Sequence, residues 1–281
     1  MTSDEPIVVR RDADGNPTIT LAGWGDWQRR VHAEEVWGTV VTFDLRAEQF
    51  PEDYDEILAE AIAYLHQVDR WFSTYKADTP ISLLRNGILP DHRIPPIVTE
   101  VLDTCAWLKQ LTQGVFDPWA VQGGVDPSGY VKGWAAGVVA DQLVAAGIPN
   151  VCVNASGDIA CRGFQAPGEG WAIGITNPYD TQQIVEVVSI LDGAIATSGL
   201  YERGEHITNP HMGTTQVEFD SATIVGPDAG VADALATACL IAGPRCAEWF
   251  VNLPDWSVYF IKDGQAMYFG PAFEHLTSQQ S

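Results

Sequence analysis

The chain has 281 residues, 46% of them hydrophobic and 19% charged, with a net charge of −22 from 15 basic and 37 acidic side chains. Such a chain can bury a sizeable core, which excludes an intrinsically disordered protein. So acidic a surface repels nucleic acid and anionic lipid, and no apolar run reaches the roughly 20 residues of a membrane span. An anionic ligand would need local donors or a cation to offset that field. Cysteines at 105, 152, 161, 239 and 246 are odd in number and lack CxxC spacing. They read as reduced, mostly buried thiols, not as a zinc or disulfide framework. The N-terminus, MTSDEPIVVRRDADG, has no apolar stretch of the signal-peptide kind, so a cytoplasmic location is expected.

Residues 1–35 show no steady period and read as an N-terminal extension. VWGTVVTFDL is rich in β-branched and aromatic residues and predicts a strand. After Pro51, apolar residues at Ile57, Leu58, Ala61, Ile62, Leu65, Val68 and Phe72 keep a helical period, with acids in the first turn. The short ISLLRNG follows, stopped by Gly87. Pro95–Pro96 opens a helix to about Gly114, with Val98, Val101, Leu102, Cys105, Leu108 and Leu111 on one face. GVFDPWAVQGGVDPSG reads as loops, and 132–146 as a third helix closed by Gly147. VCVN, WAIGI, IVEVVSI and SATIVG read as strands. VADALATACLIAG reads as an apolar helix, CAEWFVNL as another, and WSVYFIKDGQAMYFG as a hairpin about Asp263–Gly264. Helices are interspersed with strands without strict alternation, so the expected fold class is α+β, a single mixed domain over 36–275 with a tail at 276–281.

Four stretches concentrate polar chemistry. VDPSGYVKGWAAG (125–137) is glycine-flanked and opens a helix, but Val131 before Lys132 breaks the Walker A pattern and no GxGxxG is present. It either offers helix N–H groups to an anion or is a plain cap with its lysine in water. TSGLYERGEHITNPHMG (197–213) carries His206 and His211, which suit acid–base work, or is a solvated turn. In VADALATA, Asp233 and Thr237 share one face of an apolar helix. They are two hard oxygen ligands suited to magnesium, or a capping acid beside a threonine bonded back to its own helix. Trp37, Tyr75 and Phe116 could stack on a flat ring or simply fill the core.

Taken together and in order, these segments resemble the FAD:protein FMN transferase (ApbE-like) family over roughly residues 36–270. The matching stretches are WGT (37–39), FSTYKADTPIS (72–82), GVFDPW (114–119), DPSGYVKGWAA (126–136), VNASGDIACRG (153–163), WAIGITNP (171–178), AIATSGLYERGEHITNP (194–210) and SATIVGPDAGVADALATA (221–238). The resemblance implies magnesium-dependent transfer of FMN from FAD to a Ser/Thr hydroxyl of a target flavoprotein, releasing AMP. It implies Asp233, Thr237 and the carbonyl of Val131 as Mg2+ ligands. Flavin and adenylate contacts fall on Trp37, Tyr75, Val115, Phe116, Asp117, Ser128, Trp134 and Ile207, with Lys132 and Thr197 completing the set. His206 matches a histidine near the reacting phosphate and is the candidate to orient or deprotonate the incoming hydroxyl.

The chain also departs from the family pattern. Gly137 stands where the family often has Asp, Ser156 replaces a glycine, and Asn209–Pro210–His211–Met212 replaces Asp-Pro-Arg-Thr. Many family members are exported lipoproteins, whereas no leader or lipid-attachment cysteine is expected for this chain. No acceptor string Asp-x-x-Ser/Thr-Gly-Ala-Thr occurs, so modification in trans is expected. Two alternatives stand beside the transferase: an FAD pyrophosphatase giving FMN and AMP, and a non-catalytic FAD-binding protein.

Overall fold

A computed structural model describes residues 7–11, 17–21, 26–121, 123–199 and 217–274. A two-stranded ladder, β1 (Ile7–Arg11) with β2 (Pro17–Leu21), precedes the main sheet. The chain then forms β3 (Gln28–Val36) and β4 (Thr39–Ala47). The helices α1 (Tyr54–Phe72), α2 (Pro80–Arg85), α3 (Pro96–Leu111) and α4 (Ser128–Ala145) follow. Next come β5 (Asn150–Ala155), β6 (Asp158–Arg162), β7 (Trp171–Asn177), β8 (Asp180–Ile190) and β9 (Gly193–Gly199). After 217 lie β10 (Ser221–Gly226), α5 (Ala229–Ala242), β11 (Ser257–Lys262) and β12 (Gln265–Phe269).

Eight strands form one sheet in the order β12-β11-β10-β9-β6-β5-β4-β3. Every neighbouring pair is antiparallel. Because strand side chains alternate, each face has its own core. On one face Phe43, Leu45, Val153, Ala196, Ile224 and Phe260 pack with buried residues of α1, α3, α4 and α5. On the other, Cys161, Ile195, Tyr259 and Ile261 pack against Trp171, Ile175, Val188 and Ile190 of the separate β7–β8 ladder. The architecture is a mixed α+β layering over an antiparallel sheet.

The structure differs from the sequence reading at several elements. β3, read as part of the extension, pairs along its whole length with β4. Its pattern is nearly all exposed or half-buried, so it carries little apolar signal. Trp37, read as the start of a strand, sits with Gly38 in the β3–β4 turn, both with positive φ (58° and 72°). Helix α4 starts at Ser128, a full turn before Lys132, so Lys132 is not in the first turn. β6 is only five residues long with charged residues at both ends, and β9 is rich in glycine and alanine, so neither carries a clear strand pattern. CAEWFVN lies within the tighter helical turns of Gly243–Asn252, with Leu253 at the cap. The hairpin about Asp263–Gly264 forms as expected, both residues left-handed at φ 50° and 75°.

Candidate active site

Helices α4 and α5 pack as closely as their glycines permit. A Cβ on Gly133 would lie 2.2 Å from the carbonyl oxygen of Ala229, and one on Gly230 would lie 2.7 Å from the Tyr130 ring. Only backbone without side chains tolerates that approach. It brings the stretch around Val131 and Lys132 against the start of α5, whose first turn is capped by Asp228 Oδ1 accepting from Val231 N at 2.8 Å. One turn on, Asp233 is 1% exposed in a helix otherwise built from Ala, Val, Leu, Ile, Gly, Cys and Thr. Thr237, four residues later, exchanges a hydrogen bond with Ser198 of β9 at 3.0 Å.

Beside this contact opens a cavity of about 630 Å³, lined by Trp37, Phe72, Ser73, Tyr75, Ser128, Val131 and Lys132 among others. Three segments build it. The first is the Trp37–Gly38 turn. Trp37 holds a left-handed φ that costs a non-glycine residue energy, and its buried indole N–H has no acceptor among the described residues. Strain kept in this way marks functional sites.

The second segment is the loop after α1. Thr79 caps α2 by accepting from Ser82 N at 3.2 Å. Its hydroxyl also donates to the carbonyl of Ser73 at 2.7 Å, and Ser82 Oγ donates to the same carbonyl at 3.2 Å. These buried hydroxyls tie the loop to the end of α1 and hold Tyr75 out, 98% exposed at the cavity rim. Lys76, also in the wall, pairs with Asp69.

The third segment is the entry to α4. Asp126 Oδ1 accepts from Ser128 N at 3.0 Å. Arg85 of α2 reaches Gly123 O at 3.2 Å, Val125 O at 3.3 Å and Asp126 at 3.5 Å, fixing the approach. Lys132 then projects to the wall, where its ammonium meets Asp158 Oδ2 at 3.1 Å. Asp158 is 3% exposed, so the pair is shielded from water on the carboxylate side.

The cavity therefore gathers Trp37, Tyr75, Ser128, Val131 and Lys132. Other sequence-derived candidates lie elsewhere. Trp134 packs edge-on against Phe72 (5.9 Å between ring centres), behind the wall that Phe72 forms. Phe116 is buried beneath the first turn of α4, 3.6 Å from where a Gly129 Cβ would stand. Val115 packs partly buried on the same core. Asp117 pairs with Lys109 at 2.7 Å and lines a different hollow with Trp119. Thr197 shares a 2.9 Å hydrogen bond with Thr223 on the next strand. His206 and Ile207 lie outside the described residues. The reading of the sequence missed Asp158 and Ser198. Both stand inside quoted stretches, SGD and TSG, but their partners lie 26 and 39 residues away.

The oxygen donors on α4 and α5 suit a hard divalent cation: one buried carboxylate, one hydroxyl and backbone carbonyls. Among the described residues no cluster of three or more His, Cys, Asp or Glu forms a metal centre. A cation here would therefore rest on that mixed oxygen set.

A model of the ApbE family matches residues 37–122 and 119–260, most of the chain. The chain belongs to the ApbE family. The matched span contains every segment of the cavity. Among curated ApbE relatives, the FAD:protein FMN transferase of Vibrio cholerae serotype O1 is 36% identical over 129 residues, 42% of this chain and 39% of the relative. That of Escherichia coli K12 is 31% identical over 153 residues, 50% of this chain and 44% of the relative. The matched stretches thus span less than half the length of these relatives. Solved structures of ApbE proteins share the fold. The flavin transferase ApbE from Vibrio cholerae superposes with a TM-score of 0.75 at 22% identity, covering 88% of this chain and 99% of that one. The ApbE protein from Thermotoga maritima superposes with a TM-score of 0.76 at 19% identity, covering 90% and 100%.

Proposed function

We propose that this ApbE-family chain transfers FMN from FAD to a Ser or Thr hydroxyl of a separate flavoprotein and releases AMP. The observation that carries this reading is the cavity of about 630 Å³ between the strained Trp37 turn, the Tyr75 loop and the opening of α4. The shared name of the curated relatives, FAD:protein FMN transferase, supports the reaction class.

In this reading FAD lies with its flavin or adenine against Trp37 and the exposed Tyr75 ring, and its pyrophosphate near Ser128 and Lys132. Val115, Phe116 and Trp134 would back the wall of the cavity, and Asp117, Thr197 and Ile207 are further contacts that the family resemblance implies. Asp233, Thr237 and the Val131 carbonyl would hold Mg2+, which supplies charge neutralisation at the pyrophosphate. The chain's own part is positioning: phosphoryl transfer depends mainly on alignment and on stabilising charge. The acceptor oxygen attacks the FMN-side phosphorus, the bond to the AMP phosphate breaks, and the acceptor proton passes to a base. His206 is the proposed base.

The test is incubation with FAD, Mg2+ and a flavoprotein domain carrying a Ser/Thr acceptor, followed by mass analysis of the target and of free nucleotides. A target mass gain equal to FMN, with AMP in solution, is expected. Free FMN without a target gain would instead establish an FAD pyrophosphatase, and intact bound FAD a binding protein. Asp233→Ala is expected to reduce target labelling at least about 100-fold, because it removes the only carboxylate in the proposed set. Full labelling by that variant would remove the magnesium assignment.

A further inference from the structure

We propose that Cys152 and Cys161 are a disulfide-forming pair, joined by exchange with a small-molecule disulfide so that the bond staples the β5–β6 hairpin. The two residues face each other across the strands, and their Sγ atoms are 3.8 Å apart. The hairpin closes through Ser156 and Gly157, both left-handed at φ 60° and 100°. A two-residue turn makes the first pair, Ala155 with Asp158, a hydrogen-bonded one, and the pattern then alternates. Counting back, Cys152 and Cys161 fall at a non-hydrogen-bonded position. Such pairs have Cα atoms about 4.5 Å apart with side chains closest, inside the roughly 4.4–6.8 Å that a disulfide spans. Bond formation therefore needs side-chain rotation and no movement of the strands.

The two thiols are unequally placed. Cys161 is fully buried among Trp171, Ile195 and their neighbours, whereas Cys152 is only partly buried at the edge of that cluster. Burial, and then Cys152 itself, push the Cys161 thiol well up, while the adjacent Arg162 opposes the shift. Cys152 is accordingly the thiol that meets an external disulfide. Its thiolate attacks one sulfur of RSSR, forming a mixed disulfide and expelling RS⁻. Cys161 then loses its proton and attacks Cys152 Sγ, expelling the second RS⁻. The two protein thiols are oxidised, RSSR is reduced to two RSH, and the two protons end on the leaving thiols. The remaining cysteines lack this access: Cys105, Cys239 and Cys246 are all fully buried. The staple would lie in the strand that begins at Asp158, the partner of Lys132 in the cavity wall.

The test uses the whole reduced chain, equilibrated with oxidised glutathione at neutral pH and quenched with acid. A product lighter by two hydrogen atoms is expected, with Cys152 and Cys161 in one cross-linked peptide, reversed by a dithiol reductant. Closing so short a loop is expected to raise the melting temperature by roughly 5 °C. Cys161→Ala, which cannot resolve the mixed species, is expected to accumulate a glutathione adduct on Cys152. The wild-type measurement decides the matter even if that variant misfolds. A chain that keeps all five thiols free, that stops at a glutathione adduct, or that links another pair overturns the proposal.

Discussion

Lys132 stands in the cavity wall because Asp158 holds it there. The carboxylate is almost fully buried and the ammonium only partly so, which makes the pair asymmetric. Removing the acid leaves a cation with a poorer partner. Asp158→Asn is therefore expected to cost about 2 kcal/mol, measured by urea unfolding. Unchanged stability would mean that water serves Lys132 as well as Asp158 does. A second residue-scale effect concerns pH. Glu34 accepts from His66 Nε2 at 2.7 Å and faces His32 Nε2 at 3.3 Å. The His66 hydrogen bond, partly opposed by desolvation, holds the Glu34 carboxyl below its ordinary 4.5. A depressed folded-state value means that the stabilisation is complete above about pH 4.5 and is lost as pH falls through the lower folded value. Glu34→Gln should flatten the acid limb of the stability–pH curve below that point, as followed by thermal melts from neutral to acid pH. An identical acid limb in both proteins would exclude the pair as its cause.

At the scale of elements, the α4–α5 contact sets the site. Gly133 lies against the Ala229 backbone, which cannot rotate aside as a side chain can. Gly133→Ala is expected to lower stability by about 2 kcal/mol or more, read as a lower melting temperature, and to weaken FAD binding as the helices part. Gly137→Ala is the control: nothing lies within 4 Å of its added Cβ. The same elements mark how far periodicity carries. Helices α1 and α3 were legible because their apolar residues recur at helical spacing, and α5 because a continuous apolar run ends at a glycine. The first turn of α4 was not: Pro127, Ser128 and Gly129 carry turn signals, and Pro127 at the cap position offers no capping side chain. β3 escaped notice because an edge strand with few buried residues shows no apolar stripe.

At the scale of the whole molecule, a net charge of −22 opposes compaction. Raising NaCl to about 0.5 M, where the screening length falls to a few Å, is expected to raise the melting temperature by several degrees in magnesium-free buffer. A melting temperature that falls with salt would show that attractive pairs such as Lys132–Asp158 outweigh the repulsion. Among the described residues no helix is long and apolar enough to cross a membrane. The sequence by itself determined the α+β class, most helices, the Asp263–Gly264 hairpin and the family, because local periodicity, turn chemistry and motif order are properties of neighbouring residues. The tertiary structure alone decided which motif residues share a cavity. Phe116 and Asp117 are flavin-contact candidates by motif, yet they face the core and a separate hollow. The Lys132–Asp158 and Ser198–Thr237 contacts depend on strand register and on the approach of two helices through glycine. Those are long-range packing outcomes, which no spacing along the chain encodes.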